Sequence, residues 1–189
     1  MFYKIKFLLN LWRTLPLYMG GGRKAFLIDY IAWSTCAGAY KYQDNLFQLF
    51  CYLLLEYKEY RNIFSYRIEN KYLHKIFDIL FPGVDSIMIL MPKGRIGSNF
   101  QFGHRTSIVV YAESIGNNVC IYQQTTIGTG KTGIPTIGDN VMVYSGAKIF
   151  GNIKIGNGST VGANAVVTKD VPENAIVAGV PAKIIGWNK

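Results

Sequence analysis

Residues 137–167 read IGDNVMVYSGAKIFGNIKIGNGSTVGANAVV, in which Ile137, Val143, Ile149, Ile155, Val161 and Val167 return at every sixth position. Counted backwards, the same slot is filled by Ile127, Ile121, Ile115, Ile108, Phe102 and Ile96. The residue after the hydrophobe is often glycine, as in Gly97, Gly103, Gly116, Gly128, Gly138, Gly156 and Gly162. Four places beyond the hydrophobe stands a small or β-branched residue: Thr106, Ala112, Val119, Thr125, Val141, Ala147, Ser159 or Ala165. A repeat of this length specifies a solenoid in which each turn buries its neighbour. Three hexapeptides make one triangular coil, so the expected fold is mainly β, a parallel β-helix with the hydrophobe pointing inward. The small residue would leave room at the corner, and glycine would supply backbone freedom. Period alone does not give the hand of the coil, because parallel crossovers are generally right-handed.

The period breaks twice. One extra residue falls between Ile108 and Ile115, and four fall between Ile127 and Ile137. The second break holds Gly130-Lys131-Thr132-Gly133-Ile134-Pro135, expected to stand off the prism as a loop of the kind that often carries function.

Ahead of the repeat the period is helical. Leu46, Leu49, Phe50, Leu53, Leu54 and Tyr57 recur at the three-and-four spacing of one helix face. A second helical stretch runs from about Tyr60 to Leu80 and is stopped by Pro82 and Gly83. The chain therefore divides into a mostly helical subdomain, 1–92, and a β-helix domain with a C-terminal tail, 93–189. His74, between Lys71 and Lys75, reads as a solvated surface residue.

Composition bounds the function. The chain has 189 residues, half of them hydrophobic, and a formal charge of +9 shared by both parts. Such a balance attracts anions, among them the phosphates of a small ligand. No helix-turn-helix, zinc-finger spacing or aromatic RNA platform accompanies it, so nucleic acid is not expected as a partner. Cys36, Cys51 and Cys120 are odd in number and scattered, which fits reduced thiols in the cytoplasm rather than a disulfide framework or a metal site. Asn10 and Arg13 interrupt the N-terminal apolar run, which speaks against a signal peptide, and no stretch reaches the ~18 apolar residues of a membrane span. Phe2, Ile5, Leu8, Leu9 and Trp12 beside Lys4, Lys6 and Arg13 allow peripheral contact with the inner face of a membrane, or packing against a partner subunit.

The segment from Ile96 to Ile185 resembles the hexapeptide-repeat acyltransferases, with local sequence nearest to serine acetyltransferases and to capsular and colanic-acid O-acetyltransferases. The resemblance is carried by His104 ahead of Thr106 to Val110, by Gln124-Thr125-Thr126-Ile127-Gly128-Thr129-Gly130-Lys131, and by Ser145-Gly146-Ala147-Lys148-Ile149 with Gly151-Asn152-Ile153. Val167-Thr168-Lys169-Asp170-Val171-Pro172 and the terminal Ala178-Gly179-Val180-Pro181-Ala182-Lys183 complete it. It implies a left-handed β-helix, a homotrimer with active sites between subunits, and acetyl-CoA as co-substrate without a metal. It further implies His104 as the base that deprotonates an acceptor hydroxyl, and acetyl-CoA contacts at Ser145, Gly146, Ala147, Ala163, Thr168, Lys169 and Lys183.

Two departures bear on the acceptor. Serine acetyltransferases pair the histidine with an aspartate about fifteen residues earlier, where Ile89 stands here. Their loop after Gly-Thr-Gly-Lys is longer and carries a second histidine, where this chain has only Ile134 and Pro135. The expected reaction is accordingly O-acetylation of a sugar or surface-polysaccharide precursor, a carbohydrate partner. Serine O-acetylation is the nearest alternative, followed by N-acetylation of an amino sugar and a non-catalytic scaffold.

The register adds a column. With three slots to a coil, Phe102, Ile121, Val143 and Val161 lie on one wall, and the residues two places on are His104, Gln123, Ser145 and Ala163. Strands ~4.8 Å apart make this column roughly 14 Å tall, the reach of an extended pantetheine arm. A base at one end, polar groups next and a small residue beyond suit the delivery of a thioester to a hydroxyl. Gln123, Gln124 and Tyr111 are expected on the substrate side, with Gln123 or a backbone N–H as donor to the developing oxyanion.

Overall fold

The computed structural model describes residues 2–36, 38–104 and 106–189, with side chains from Ile5 onward. The chain divides into two compact units, Met1–Val84 and Asp85–Lys189.

The first unit is helical: α1 (Phe2–Leu17), α2 (Arg23–Ser34), α3 (Leu46–Glu56), α4 (Lys58–Arg67) and α5 (Lys71–Leu80). The Asn45 side chain accepts from the Gln48 N–H and so caps α3, satisfying one of the donors that a helix start leaves open. The stretch predicted as one helix from about Tyr60 to Leu80 is two. Ile68 and Asn70 adopt extended backbone, and the Asn70 side chain accepts from the N–H groups of Tyr72 and Leu73 to start α5. The core is aromatic: Phe26, Trp33, Phe50, Tyr60, Phe64, Phe77 and Phe81 are all fully buried. Within it Arg67 makes a two-pronged bond to Asp29, at 2.8 and 3.0 Å. Both side chains are almost wholly shielded. On α1, Lys6 turns inward to Glu56 and Arg13 to the Leu80 carbonyl, which leaves Ile5, Leu8, Leu9 and Trp12 exposed. No helix among the described residues is long and apolar enough to cross a membrane.

His74 departs from its expected role as a solvated residue. Its Nε2 lies 3.1 Å from Ser65 Oγ on α4, and Ser65 donates to Asp78 at 2.6 Å. Asp78 also stands 3.4 Å from His74 Nδ1, so the three side chains clasp α4 to α5.

The second unit is a three-walled parallel solenoid. The first wall is β1 (Ile87–Ile89), β3 (Ile108–Val110), β6 (Thr126–Gly128), β9 (Lys148–Phe150) and β12 (Val166–Val167), stacked in that order. The second is β4 (Ser114–Ile115), β7 (Thr136–Ile137) and β10 (Lys154–Ile155), extended by single bridges to Ile96 and Val171. The third is β2 (Gln101–Phe102), β5 (Cys120–Ile121), β8 (Met142–Val143), β11 (Thr160–Val161) and β13 (Ala175–Ala178), closed by antiparallel β14 (Lys183–Trp187). Parallel strands of two or three residues would be unstable alone. Here every strand inside a wall is paired above and below, and the hydrophobe of every hexapeptide is buried, Ile121, Ile127, Val143, Ile149 and Val161 completely so.

The first irregularity lies elsewhere than the spacing suggested. Val110, not Ile108, is in register with Ile127. Ile108 fills the corner position that Thr125, Ala147 and Ala165 hold on later coils, and its neighbour Val109 bonds to the Thr125 carbonyl just as Thr126 bonds to Ala147. The third-to-first-wall corner of this coil therefore carries two extra residues, between Phe102 and Val110, and the next segment is one short. Thr106, expected to be a small corner residue, is exposed on this longer corner.

The glycines after the hydrophobe act through size rather than freedom. None of Gly97, Gly116 and Gly138 has a positive φ. A Cβ on Gly97 would stand 2.6 Å from the Gly116 carbonyl carbon, and one on Gly116 would stand 2.6 Å from that of Gly138. The left-handed backbone that turns each corner falls instead on the residue before the small one: Asn118, Gln124, Asn140, Gly146, Gly158, Asn164 and Asn174. Asparagine tolerates that region because its short side chain bonds locally. Here Asn99 donates to Asn118 at 3.1 Å and Asn118 to Asn140 at 2.9 Å, a ladder along one edge.

Candidate active site

Wall three and the corner that follows it position the site. Phe102 pairs with Ile121, Ile121 with Val143 and Val143 with Val161, so the residues two places on occupy successive rungs. Corner hydrogen bonds join them: the Gly146 N–H donates to the Gln123 carbonyl and the Asn164 N–H to that of Ser145, each at 2.9 Å. Gln123, Ser145 and Ala163 thus form three steps of one edge. The rung below is different. There the Gln124 N–H donates to Thr106 rather than to His104, because the longer corner carries His104 outward from the edge, where it is exposed.

His104 is held by an aromatic stack. Its ring stands 5.9 Å from that of Tyr122 at 62°, and Tyr122 lies 5.3 Å from Tyr144 at only 16°. Tyr122 and Tyr144 point outward from wall three, one place after the buried Ile121 and Val143. Gly103 makes the arrangement possible, since a Cβ there would meet Tyr122 Cδ1 at 2.5 Å. Neighbouring Cys120, then burial, then Tyr144 push the Tyr122 hydroxyl above its ordinary range, so it is a neutral phenol near pH 7. Composition and period did not single out this stack. The signal was present: tyrosine interrupts the glycine series at the position after the hydrophobe.

Gln123 is half-buried, and its Oε1 is closed to solvent with no hydrogen-bond partner among the described residues. Buried polar atoms are normally satisfied, so this shielded oxygen is an exception on the edge. The NH2 group of the same amide is the kind of donor an oxyanion needs. Gln124 is exposed at φ +61°, and its carbonyl accepts from the Lys148 ammonium.

The other predicted residues separate into groups. Ser145 is half-buried and Ala163 exposed on the same edge as Gln123. Gly146 forms the corner itself at φ +76°, where a Cβ would fall 2.0 Å from Asn164 Oδ1, while Ala147 points into the core with no exposed surface. Thr168, Lys169 and Lys183 come together around a pocket of about 230 Å³ near the C-terminal end, with Pro181 and Ala182. Two ammonium groups at one pocket suit phosphate oxygens. Tyr111 lies beyond β3, at the far end of wall one from His104, and the two are not brought together.

The inserted loop is compact. Gly130 and Gly133 exchange backbone hydrogen bonds around Lys131 and Thr132, and Thr132 Oγ1 accepts from the Asn152 N–H at 3.0 Å. The loop expected to stand off is pinned to the next coil. It sits on the corner between walls one and two, across β6 from Gln123. Among the described residues no three His, Cys, Asp or Glu side chains are grouped as metal ligands would be.

Residues 134–169 match the family model described as bacterial transferase hexapeptide (six repeats). The chain is 38% identical to serine acetyltransferase of Haemophilus influenzae over 167 residues, 80% of this chain and 61% of that one. It is 33% identical to serine acetyltransferase of Bacillus licheniformis over 161 residues, 77% of this chain and 73% of the relative. Soybean serine acetyltransferase complexed with serine superposes with a TM-score of 0.64 at 34% identity, covering 88% of this chain and 70% of that structure. The chain spans 50% of the length of the Mycobacterium tuberculosis serine acetyltransferase that it matches.

Proposed function

Because the chain belongs to the serine acetyltransferase family, whose left-handed β-helix its solenoid shares, we propose that it transfers the acetyl group of acetyl-CoA to the hydroxyl of L-serine. The observation that carries this reading is the reach of the likeness. It extends over four fifths of the chain, more than the solenoid unit alone, and so includes helical sequence outside the shared repeat. This reading takes the place of a sugar acceptor as the leading assignment.

The chemistry follows from the edge. His104, as a neutral imidazole, accepts the hydroxyl proton while the oxygen attacks the thioester carbonyl. The carbonyl π electrons move to oxygen, and in this reading the Gln123 amide donates to that oxyanion. Collapse expels the CoA thiolate, which takes the proton back from the imidazolium, so His104 returns to its starting state. The pantetheine arm runs along Ser145 and Ala163, where short side chains leave room, and the phosphates meet Lys169 and Lys183. The working assembly in this reading is a homotrimer.

A sugar hydroxyl is the second reading, favoured by Ile89 at the place of the family's aspartate and by the closed Gly130–Gly133 turn at the place of its longer loop. Release of CoA thiol, followed with L-serine, free hexoses, glycan fragments and amino sugars in parallel, separates the readings. The proposal expects kcat/KM for L-serine to lead by at least about tenfold, roughly 1.4 kcal/mol of preference. A sugar in the lead replaces it with the second reading. No turnover, with no acetyl-CoA binding by calorimetry, makes the chain a scaffold.

A further inference from the structure

We propose that Tyr122 holds the imidazole of His104 in its working orientation, an inference that rests on the reading of His104 as the base. His104 sits on a corner two residues longer than its counterparts on later coils, and that corner has surrendered its usual hydrogen bond to Thr106. Length and exposure give the side chain rotational freedom that a base working at fixed geometry does not have. The contact that restrains it is the Tyr122 ring, 5.9 Å away and steeply inclined.

Tyr122 is itself braced on both sides. Tyr144 lies nearly parallel beneath it at 5.3 Å, and the Gly103 backbone lies against its Cδ1, Cε1 and Cγ atoms, with no space for a Cβ between them. The strand that carries it starts from the buried Cys120 and Ile121 and is paired on both edges, to β2 and β8. A rigid wall thus holds one ring, and that ring meets the imidazole. Aromatic pairs in inclined geometry attract each other beyond the area they bury, enough to select one side-chain rotamer over another.

The ring, not the hydroxyl, does the holding. The titratable groups that face the Tyr122 hydroxyl are Cys120 and Tyr144, and the Lys148 ammonium is bound to the Gln124 carbonyl. Arg105 follows His104 in sequence and lies outside the described residues. Tyr122→Phe therefore keeps the device and Tyr122→Leu removes it.

The test uses the full-length protein with 13C-labelled histidine. The chain has two histidines, so one His74→Gln spectrum assigns both sets of ring signals. Tyr122→Leu is expected to move the His104 signals and lower kcat about three- to tenfold, with KM for either substrate within about twofold. Tyr122→Phe is expected to leave signals and kcat at their starting values. Gly103→Ala, which drives a Cβ into the Tyr122 ring, is a second route to the same signal change without altering the tyrosine. His104 signals unmoved in both Tyr122→Leu and Gly103→Ala overturn the proposal, as does a Tyr122→Phe variant that falls as far as Tyr122→Leu. If the wild-type protein turns over no acceptor, the acetyl-transfer reading falls, and the spectra alone then decide whether Tyr122 holds the ring.

Discussion

Gly116 and Gly138 stand one coil apart with no room between them: a Cβ on Gly116 would lie 2.6 Å from the Gly138 carbonyl carbon and 2.4 Å from Asp139 Oδ1. Backbone on both sides of the contact is hydrogen-bonded into the second wall, since the Gly116 N–H donates to the Ile137 carbonyl at 2.9 Å, so neither side yields cheaply. Gly116→Ala is expected to destabilise the solenoid by about 1–3 kcal/mol, the usual cost of overpacking. Gly20, with nothing within 4 Å of its own Cβ position, is the control. Thermal melts of Gly116→Ala and Gly20→Ala check this, with a fall of several degrees for the first and little change for the second.

Burial pushes the Cys51 thiol up to about 11 from 9.0, a hydrogen bond with Thr14 pulling the other way. Burial likewise pushes the Tyr57 hydroxyl up to about 12. The folded chain keeps protons that the unfolded chain releases, so this part of the stability is complete below about pH 9 and is lost as pH rises through 11. Denaturation midpoints should hold between pH 8 and 9 and fall from there towards pH 11. Cys51→Ala should show a shallower fall over the same range; parallel slopes would show that Cys51 contributes nothing to the alkaline loss.

Ala163 is exposed on the edge that also carries Gln123 and Ser145. A large side chain there would obstruct the pantetheine arm without disturbing the core. Ala163→Phe is expected to raise KM for acetyl-CoA about tenfold or more, some 1.4 kcal/mol of lost binding, with the melting temperature unchanged. Initial rates over a range of acetyl-CoA concentrations give the answer.

The Gln123 amide has a shielded oxygen without a partner. If it serves the oxyanion, Gln123→Ala should lower kcat by about a hundredfold, the typical cost of one such donor. Removing an unsatisfied buried group should at the same time leave stability equal or slightly higher. Steady-state kinetics with a paired melt separate these effects from simple misfolding.

The solenoid was legible in the sequence because each hexapeptide repeats the same physical demand, one buried hydrophobe and one tight corner. Register was legible wherever the spacing stayed at six, which is why Gln123, Ser145 and Ala163 fall on one edge. It failed at Ile108, where two apolar residues, Ile108 and Val110, both point inward and spacing cannot say which belongs to the column. The glycines were misread for a related reason: a missing side chain serves either backbone freedom or close approach, and only neighbouring coils reveal which. The His104–Tyr122–Tyr144 stack joins residues from three coils, and period describes what repeats, not what interrupts the repeat. His74 was missed because its partners Ser65 and Asp78 lie on two helices whose packing the sequence does not display.

The measurement that bears most directly on the central claim is acetyl transfer to L-serine by His104→Ala. Loss of a positioned base is worth about 10²- to 10⁴-fold, so turnover should fall by at least a hundredfold while acetyl-CoA binding, measured by calorimetry, stays within about twofold. Turnover within a few-fold of the unaltered protein would contradict His104 as the base and, with it, the mechanism built on this edge.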